Sequence, residues 1–266
     1  MKLEEECRGE WALITGASSG IGKEFAYQLA AVGMNLVLVA RREELLDNLA
    51  DELRHLYRVK ILPIAQDLSQ ADAITTIKIR LAANEVKLRL LCNNAAFGHW
   101  GRFEDTSEKI YDEMVRVNIV AMVSMCHQFL PELASFPSSA IINVSSPAAF
   151  QPVPYMAVYA ATKAFVHSFS LAIYEEWRNR GILVQTLVPG PTETEFDVKA
   201  GAYPSALKER GPVNEVVQAS LRHLAADKPV VSIAKGLFKQ RVFAGLFPAK
   251  IVTREVGKMF HPSAKQ

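Results

Sequence analysis

The chain has 266 residues, enough for one large α/β domain, and its 50% hydrophobic and 22% charged content excludes intrinsic disorder. Its 30 Lys and Arg against 28 Asp and Glu leave a net charge of +2, too balanced for a protein whose main task is to coat nucleic acid. The three cysteines, Cys7, Cys92 and Cys126, include no CxxC pair, an odd count excludes a fully paired disulfide framework, and the six histidines form no metal-ligand motif, so no metal site is expected.

In chain order, short and nearly continuous apolar runs predict strands at Trp11–Ile14, Met34–Val39, Lys60–Ala65, Leu88–Leu91, Ala140–Val144, Ile182–Val188 and Pro229–Ile233. Continuous rather than alternating apolar residues point to strands covered on both faces, as in a parallel sheet. Amphipathic stretches between them predict helices at Gly22–Val32, Glu43–Leu56, Asp72–Asn84, Lys109–Leu133, Val158–Arg180 and Glu215–Ala226. The β-α alternation predicts an α/β fold: a doubly wound sheet with helices on both faces. No Pro/Gly/Ser-rich linker interrupts it, so residues 1–266 read as a single domain.

Two regions break the rhythm. Pro191–Pro212 connects a strand to a helix over 22 residues, far longer than such connections usually are, and reads as a substrate lid. Residues 235–266 mix apolar side chains (Leu237, Phe238, Val242, Phe243, Leu246, Phe247) with Lys239, Arg241, Lys250, Arg254 and Lys258. This tail reads as one or two helices packed on the domain or on a second subunit; peripheral contact with a membrane surface is the alternative. The N-terminus has no signal-peptide core, and no apolar run reaches the roughly 20 residues that span a bilayer. A cytoplasmic protein is therefore expected.

The first predicted strand runs into Thr15-Gly16-Ala17-Ser18-Ser19-Gly20-Ile21-Gly22, followed by a helix. A strand, a glycine-rich turn and a helix N-terminus form a phosphate cradle, because glycines admit the anion and free N–H groups stabilise it. The second strand ends in Arg41-Arg42, where a dinucleotide's adenosine ribose would lie. A carboxylate there suits the ribose hydroxyl of NAD, whereas arginine suits the 2′-phosphate of NADP. Asp67, at the end of the third strand, could receive an adenine amino group or serve as a helix cap.

The chemistry-bearing group is Ser146, Tyr159 and Lys163. Tyr159 and Lys163 stand four apart in a predicted helix, so they share a face. A phenol ionises near pH ~10, and a neighbouring ammonium favours its phenolate. Ser146 closes the fifth strand, where α/β sheets place their crevice, and its hydroxyl could hold a substrate oxygen.

These motifs identify a resemblance to the short-chain dehydrogenase/reductases, single-domain branch, over about residues 9–235. Thr15–Gly22 matches that family's TGxxxGxG. Asn93-Asn94-Ala95-Ala96 is similar to its NNAG, with Ala96 replacing glycine. Asn118 matches its fourth-helix asparagine, Ser146 stands 13 residues before the Tyr159-x-x-x-Lys163 motif, and Pro189-Gly190 with Thr194 is similar to its PG motif. The resemblance implies a Rossmann-type fold with a seven-stranded, mainly parallel sheet. Arg41 and Arg42 point to NADP(H) as cofactor, and the resemblance implies that it is held in the first turn by Gly16, Ser18, Ser19, Gly20, Ile21 and Gly22. Further contacts are implied from Arg41, Arg42, Asp67, Leu68, Asn94, Ala95, Tyr159, Lys163, Pro189, Gly190, Thr192 and Thr194. Tyr159 is implied as proton donor in reduction and Ser146 as the group polarising the carbonyl. Lys163 is implied to hold the nicotinamide ribose and lower the tyrosine pKa, and Asn118 to order a water through its backbone carbonyl.

The expected function is an NADP(H)-dependent carbonyl reductase that interconverts a ketone and a secondary alcohol, working as a homodimer or homotetramer. Phe97, Phe150, Tyr155, Phe196 and Tyr203, with Pro147, Ala148 and Ala149, suggest an apolar or lipid-like substrate. A catalytically silent NADP-binding sensor is the alternative, disfavoured because tyrosine and lysine are both present.

Overall fold

The computed structural model describes residues 3–201 and 210–262. After a single helical turn, α1 (Leu3–Glu6), strand β1 (Trp11–Thr15) leads through the glycine turn into α2 (Gly20–Ala31). Next come β2 (Asn35–Ala40), α3 (Glu43–Tyr57), β3 (Ile61–Ala65), α4 (Ala73–Ala83) and β4 (Leu88–Asn93). A long helix follows as α5 (Glu108–Val115) and α6 (Met122–Leu133), joined by a π-helical turn at Arg116–Ala121. Then come β5 (Ser139–Val144), α7 (Ala157–Trp177), β6 (Ile182–Val188), the short α8 (Phe196–Lys199), α9 (Val213–Leu224) and β7 (Val230–Ser232). The tail forms α10 (Leu237–Leu246) and α11 (Ala249–Phe260).

The seven strands form one sheet in the order β3-β2-β1-β4-β5-β6-β7, and every neighbouring pair is parallel. This is the Rossmann-like arrangement. Alternation along β1 shows why it is apolar throughout. Ala12 and Ile14 enter a core with Phe25, Leu29, Leu46 and Val216, supplied by α2, α3 and α9. Leu13 enters the opposite core with Ile77, Phe129, Val166 and Trp177, supplied by α4, α6 and α7. Burial on both faces removes the polar alternation of a half-exposed strand. The strand order reverses between β1 and β4, and a crevice opens there at the carboxyl ends of the strands.

The helix predicted as Lys109–Leu133 is interrupted. At its π turn Asn118 is buried, and its side chain spans two elements. Phe97 N donates to Asn118 Oδ1 at 3.1 Å, while Asn118 Nδ2 donates to Phe97 O at 3.0 Å and Thr162 Oγ1 at 3.0 Å. The widened turn lets one amide join the loop after β4 to α7, consistent with the frequent placement of π turns at functional sites.

The connection after β6 is tied at its base. Gly211 N donates to Pro191 O at 2.8 Å, and Glu193 N donates to Gly211 O at 3.1 Å. The Arg210 guanidinium pairs with Asp197 at 3.0 Å. The part of the expected lid at positions 202–209, including Tyr203, lies outside the described residues.

A third apolar cluster joins the tail to the catalytic region: Val252 and Val256 pack with Met114, Val153, Met156 and Tyr159, with Phe97, Trp100 and Phe243 against them. Gln240 Nε2 of α10 donates to Pro147 O at 2.8 Å.

Candidate active site

The crevice is a cavity of about 620 Å³ that runs from the glycine turn to the tail. At its first end, Gly16 and Gly20 adopt φ of +67° and +54°, which favour glycine. A Cβ on Gly20 would lie 2.9 Å from Thr194 Cγ2. Ser19 caps α2 without a side-chain hydrogen bond, so the first N–H groups of that helix are left for another acceptor. Gly16, Ser18, Ser19, Gly20 and Ile21 line the cavity. Gly22 does not: a Cβ there would lie 2.3 Å from Gly16 O. The bare backbone at Gly22 lets the turn pack closely against the start of α2.

Asn94 and Ala95 also line the cavity, but their polar groups brace the turn. Asn94 Nδ2 donates to Thr15 O at 2.9 Å, and the amides of Asn94 and Ala95 each donate to Thr15 Oγ1 at 3.0 Å. Asp67 and Leu68 lie on the wall, and Asp67 Oδ1 accepts from Ser69 N at 2.9 Å. Arg41 is exposed on the wall with no hydrogen-bonding or ionic partner among the described residues. Arg42 folds back over the turn, donating to Ser18 Oγ at 3.0 Å and pairing with Glu195 Oε2 at 3.1 Å. Pro189, Gly190, Thr192 and Thr194 line the opposite side; Thr192 Oγ1 donates to Gly190 O at 2.7 Å. An uncapped helix start, backbone without side chains and two cations beside it fit a dinucleotide.

The reactive groups stand at the centre. Lys163 Nζ, 3% exposed as a residue, donates to Val144 O at 2.8 Å and lies 5.8 Å from the centroid of the Tyr159 ring. Ser145 Oγ donates to Lys163 O at 2.9 Å and holds α7 against the end of β5. Farther along, Asn93 Nδ2 donates to Asn143 Oδ1 and Asn143 Nδ2 to Ser170 Oγ, both at 2.9 Å. This buried chain fixes the height of α7 on the sheet. Ala148 N donates to Ser146 Oγ at 3.2 Å, which leaves the serine's own proton for another partner. The Ser146 hydroxyl stands near the Tyr159 phenol and favours its ionised form.

Burial pushes the Tyr159 phenol up to about 12; the nearby Ser146 hydroxyl opposes this and the Asp197 carboxylate adds to it. Burial draws the Lys163 ammonium down to about 7. Lys163 is expected to lower the tyrosine pKa, but here burial is the largest influence on both groups. Desolvation of both groups dominates, and the ammonium is turned toward Val144 O. A phenol held above the ordinary range stays protonated at neutral pH, the state of a proton donor.

The other half of the cavity is apolar. Phe97, Pro147, Ala148 and Phe196 line it as expected, and the Phe196 ring lies 5.2 Å from that of Tyr159. Ala149, Phe150 and Tyr155 do not line it. Phe150 packs edge-on against His167 of α7 at 4.6 Å, and Tyr155 against His261, just past the end of α11, at 5.1 Å. Sequence reasoning missed Trp100, Val153, Met156, Met259 and Phe260 on this wall. Trp100 binds both flanking segments: its amide donates to Ala200 O at 2.8 Å and its Nε1 to Phe260 O at 2.9 Å. Only the richness of apolar residues in the tail signalled this wall.

Comparison with known proteins places these features in one family. The short chain dehydrogenase family profile matches residues 10–203. The human very-long-chain 3-oxoacyl-CoA reductase is 35% identical over 185 residues, covering 68% of this chain and 59% of that protein, so the match spans about three fifths of that relative. A short-chain dehydrogenase from Sphingobium yanoikuyae, solved in complex with NADPH, superposes with a TM-score of 0.80 at 32% identity, over 86% of this chain and 91% of that one. A solved 7beta-hydroxysteroid dehydrogenase reaches 0.84 at 29% identity, over 97% and 100%. With a glycine cradle at one end of the cavity and the Ser146–Tyr159–Lys163 group at its centre, the chain belongs to the short-chain dehydrogenase/reductase family.

Proposed function

We propose that the protein is an NADPH-dependent carbonyl reductase that converts a ketone of an apolar, lipid-like molecule to a secondary alcohol. The observation that carries this reading is that Ser146, Tyr159 and Lys163 line one cavity between a cationic end and an apolar end. NADPH, when bound, supplies the hydride that the carbonyl carbon accepts. Ser146 orients the carbonyl oxygen through its free proton. Tyr159 donates its phenolic proton to that oxygen as the C–O double bond becomes single. Lys163 stands beside the phenol and returns the proton, and Asn118 contributes to that path through its backbone carbonyl.

Preference for the phosphorylated cofactor is supported by Arg41 and Arg42 and by the absence of a carboxylate at the end of β2. Arg42 already takes an oxyanion, Glu195 Oε2, as partner at this place. A 2′-phosphate offers more charge and more acceptor atoms than one carboxylate, so it competes for the same guanidinium. The apolar wall of Trp100, Val153, Met156, Phe196 and Phe260 supports a bulky apolar ketone. Relatives named for a 3-oxoacyl thioester and for a hydroxysteroid are of that kind.

The test is oxidation of NADPH and NADH across a panel of 3-oxoacyl thioesters, steroid ketones and small polar ketones. The expected result is turnover of the apolar ketones with NADPH, abolished by Tyr159→Phe. Absence of turnover on every ketone, with NADPH still bound, would instead favour a silent cofactor-binding protein.

A further inference from the structure

The chain is nearly neutral overall, yet from Lys228 to Arg254 it carries six Lys and Arg and no Asp or Glu. That stretch contains α10 and the turn into α11. The inner side of this hairpin is anchored: Leu237 is buried, Phe243 packs against the cluster of Val252 and Val256, and Gln240 bonds to Pro147 O. The outer side is apolar and bare. Phe238, Val242 and Leu246, spaced i, i+4 and i+8 along α10, are 80%, 40% and 76% exposed. The turn that follows, Phe247-Pro248-Ala249-Lys250, is exposed throughout. Lys239 and Lys250 are exposed and have no ionic partner among the described residues.

We propose that this outer face of the α10–α11 hairpin docks on an anionic lipid surface. Bare aliphatic and aromatic side chains gain by leaving water, and cations beside them gain from acidic headgroups. The combination fits a bilayer interface better than a second copy of the chain. Self-association through this face would bring two carboxylate-free, cationic stretches together, and like charges oppose that. Among the described residues no helix is long and apolar enough to cross a membrane, so the contact is peripheral. The hairpin also walls the cavity through Gln240, Met259 and Phe260, so docking sets the cavity beside lipid. Delivery of substrate from that lipid rests on the apolar-ketone reading; the docking itself does not.

The test is co-sedimentation of the full chain with vesicles of phosphatidylcholine alone and of phosphatidylcholine mixed with phosphatidylserine. The expected result is binding to the mixed vesicles that weakens as salt is added. The double variant Phe238→Asp/Leu246→Asp should bind them roughly tenfold or more weakly. Its melting temperature and cofactor binding should match the wild type, because neither side chain is buried. Lys239→Gln/Lys250→Gln should narrow the preference for the mixed vesicles while leaving the fold intact. The proposal is overturned if the wild type ignores the mixed vesicles, or if the aspartate variant binds them undiminished. It is equally overturned if the aspartates instead dissolve a concentration-dependent oligomer of the wild type, which would make the face a contact between copies. If the ketone panel fails while vesicle binding holds, only the substrate reading is lost.

Discussion

On the cofactor side of the cavity, the contacts from Gly16 to Ile21 come from one turn, and their neighbours stand at adjacent strand ends. On the substrate side, Trp100, Met156, Phe196 and Phe260 come from four separate segments, and the bond from Trp100 to Phe260 spans 160 positions. The first side is set by backbone: two left-handed glycines, an uncapped helix start and a strand crossover leave little freedom. The second is set by side chains meeting across long connections. Motif spacing therefore governs the first, whereas the second depends on how the lid and the tail pack. In the proposed function, the rigid end serves the generic chemistry and the assembled end the choice of substrate.

The sharpest test of this contrast removes one atom where the two sides meet. Tyr159→Phe should lower kcat on an apolar ketone by about 10²–10⁴-fold, the usual worth of a positioned acid. Fluorescence titration should give the same NADPH affinity as the wild type, and a shared loss of both would erase the distinction between the two sides.

The next test acts on the cofactor side alone. Arg41→Asp or Arg42→Ala should weaken NADPH by roughly ten- to a hundredfold, since a hydrogen bond to a charged group is worth about 1.5–3 kcal/mol. NADH affinity should move little with Arg42→Ala and rise with Arg41→Asp. Kd for both cofactors, measured in each variant, decides it. An unchanged ratio would mean that other residues read the ribose.

A third test concerns stability at the centre. Burial lowers the folded-state pKa of Lys163 from 10.5 to about 7, so the folded chain holds this proton less tightly than the unfolded chain. The cost to stability is full below about pH 7 and fades as pH rises toward the unfolded value. Lys163→Met should therefore raise Tm at pH 6, and the gain should shrink by pH 10. A tenfold change in proton affinity is worth ~1.4 kcal/mol, and orphaning Val144 O returns about 1–3 kcal/mol, so the net gain is on the order of 2–4 kcal/mol. A gain that does not change with pH would contradict the assigned cause.

The smallest effect belongs to the assembled side. Trp100→Phe keeps the ring bulk but removes the Nε1 donor to Phe260 O. A neutral hydrogen bond contributes about 0.5–1.5 kcal/mol, so KM for a bulky ketone should rise by roughly 2–10-fold. NADPH affinity should stay put, and a small ketone that does not reach the tail should be turned over as before.

The amino-acid sequence by itself determined the parallel sheet, the order of its elements, the glycine turn and the Ser146–Tyr159–Lys163 set. These rest on local rules: a strand buried on both faces is apolar throughout, and residues four apart on a helix share a face. Tertiary structure alone decided the rest. Gly22 turned out to serve packing because its hydrogen faces Gly16 O, and Asn94 to spend its amide on the glycine turn. Phe150 and Tyr155 were drawn to histidines on other segments, while Trp100 and Phe260 were brought to the cavity. Nor could spacing foretell that burial would raise Tyr159 and lower Lys163, since desolvation depends on everything packed around a group and not on its neighbours in the chain.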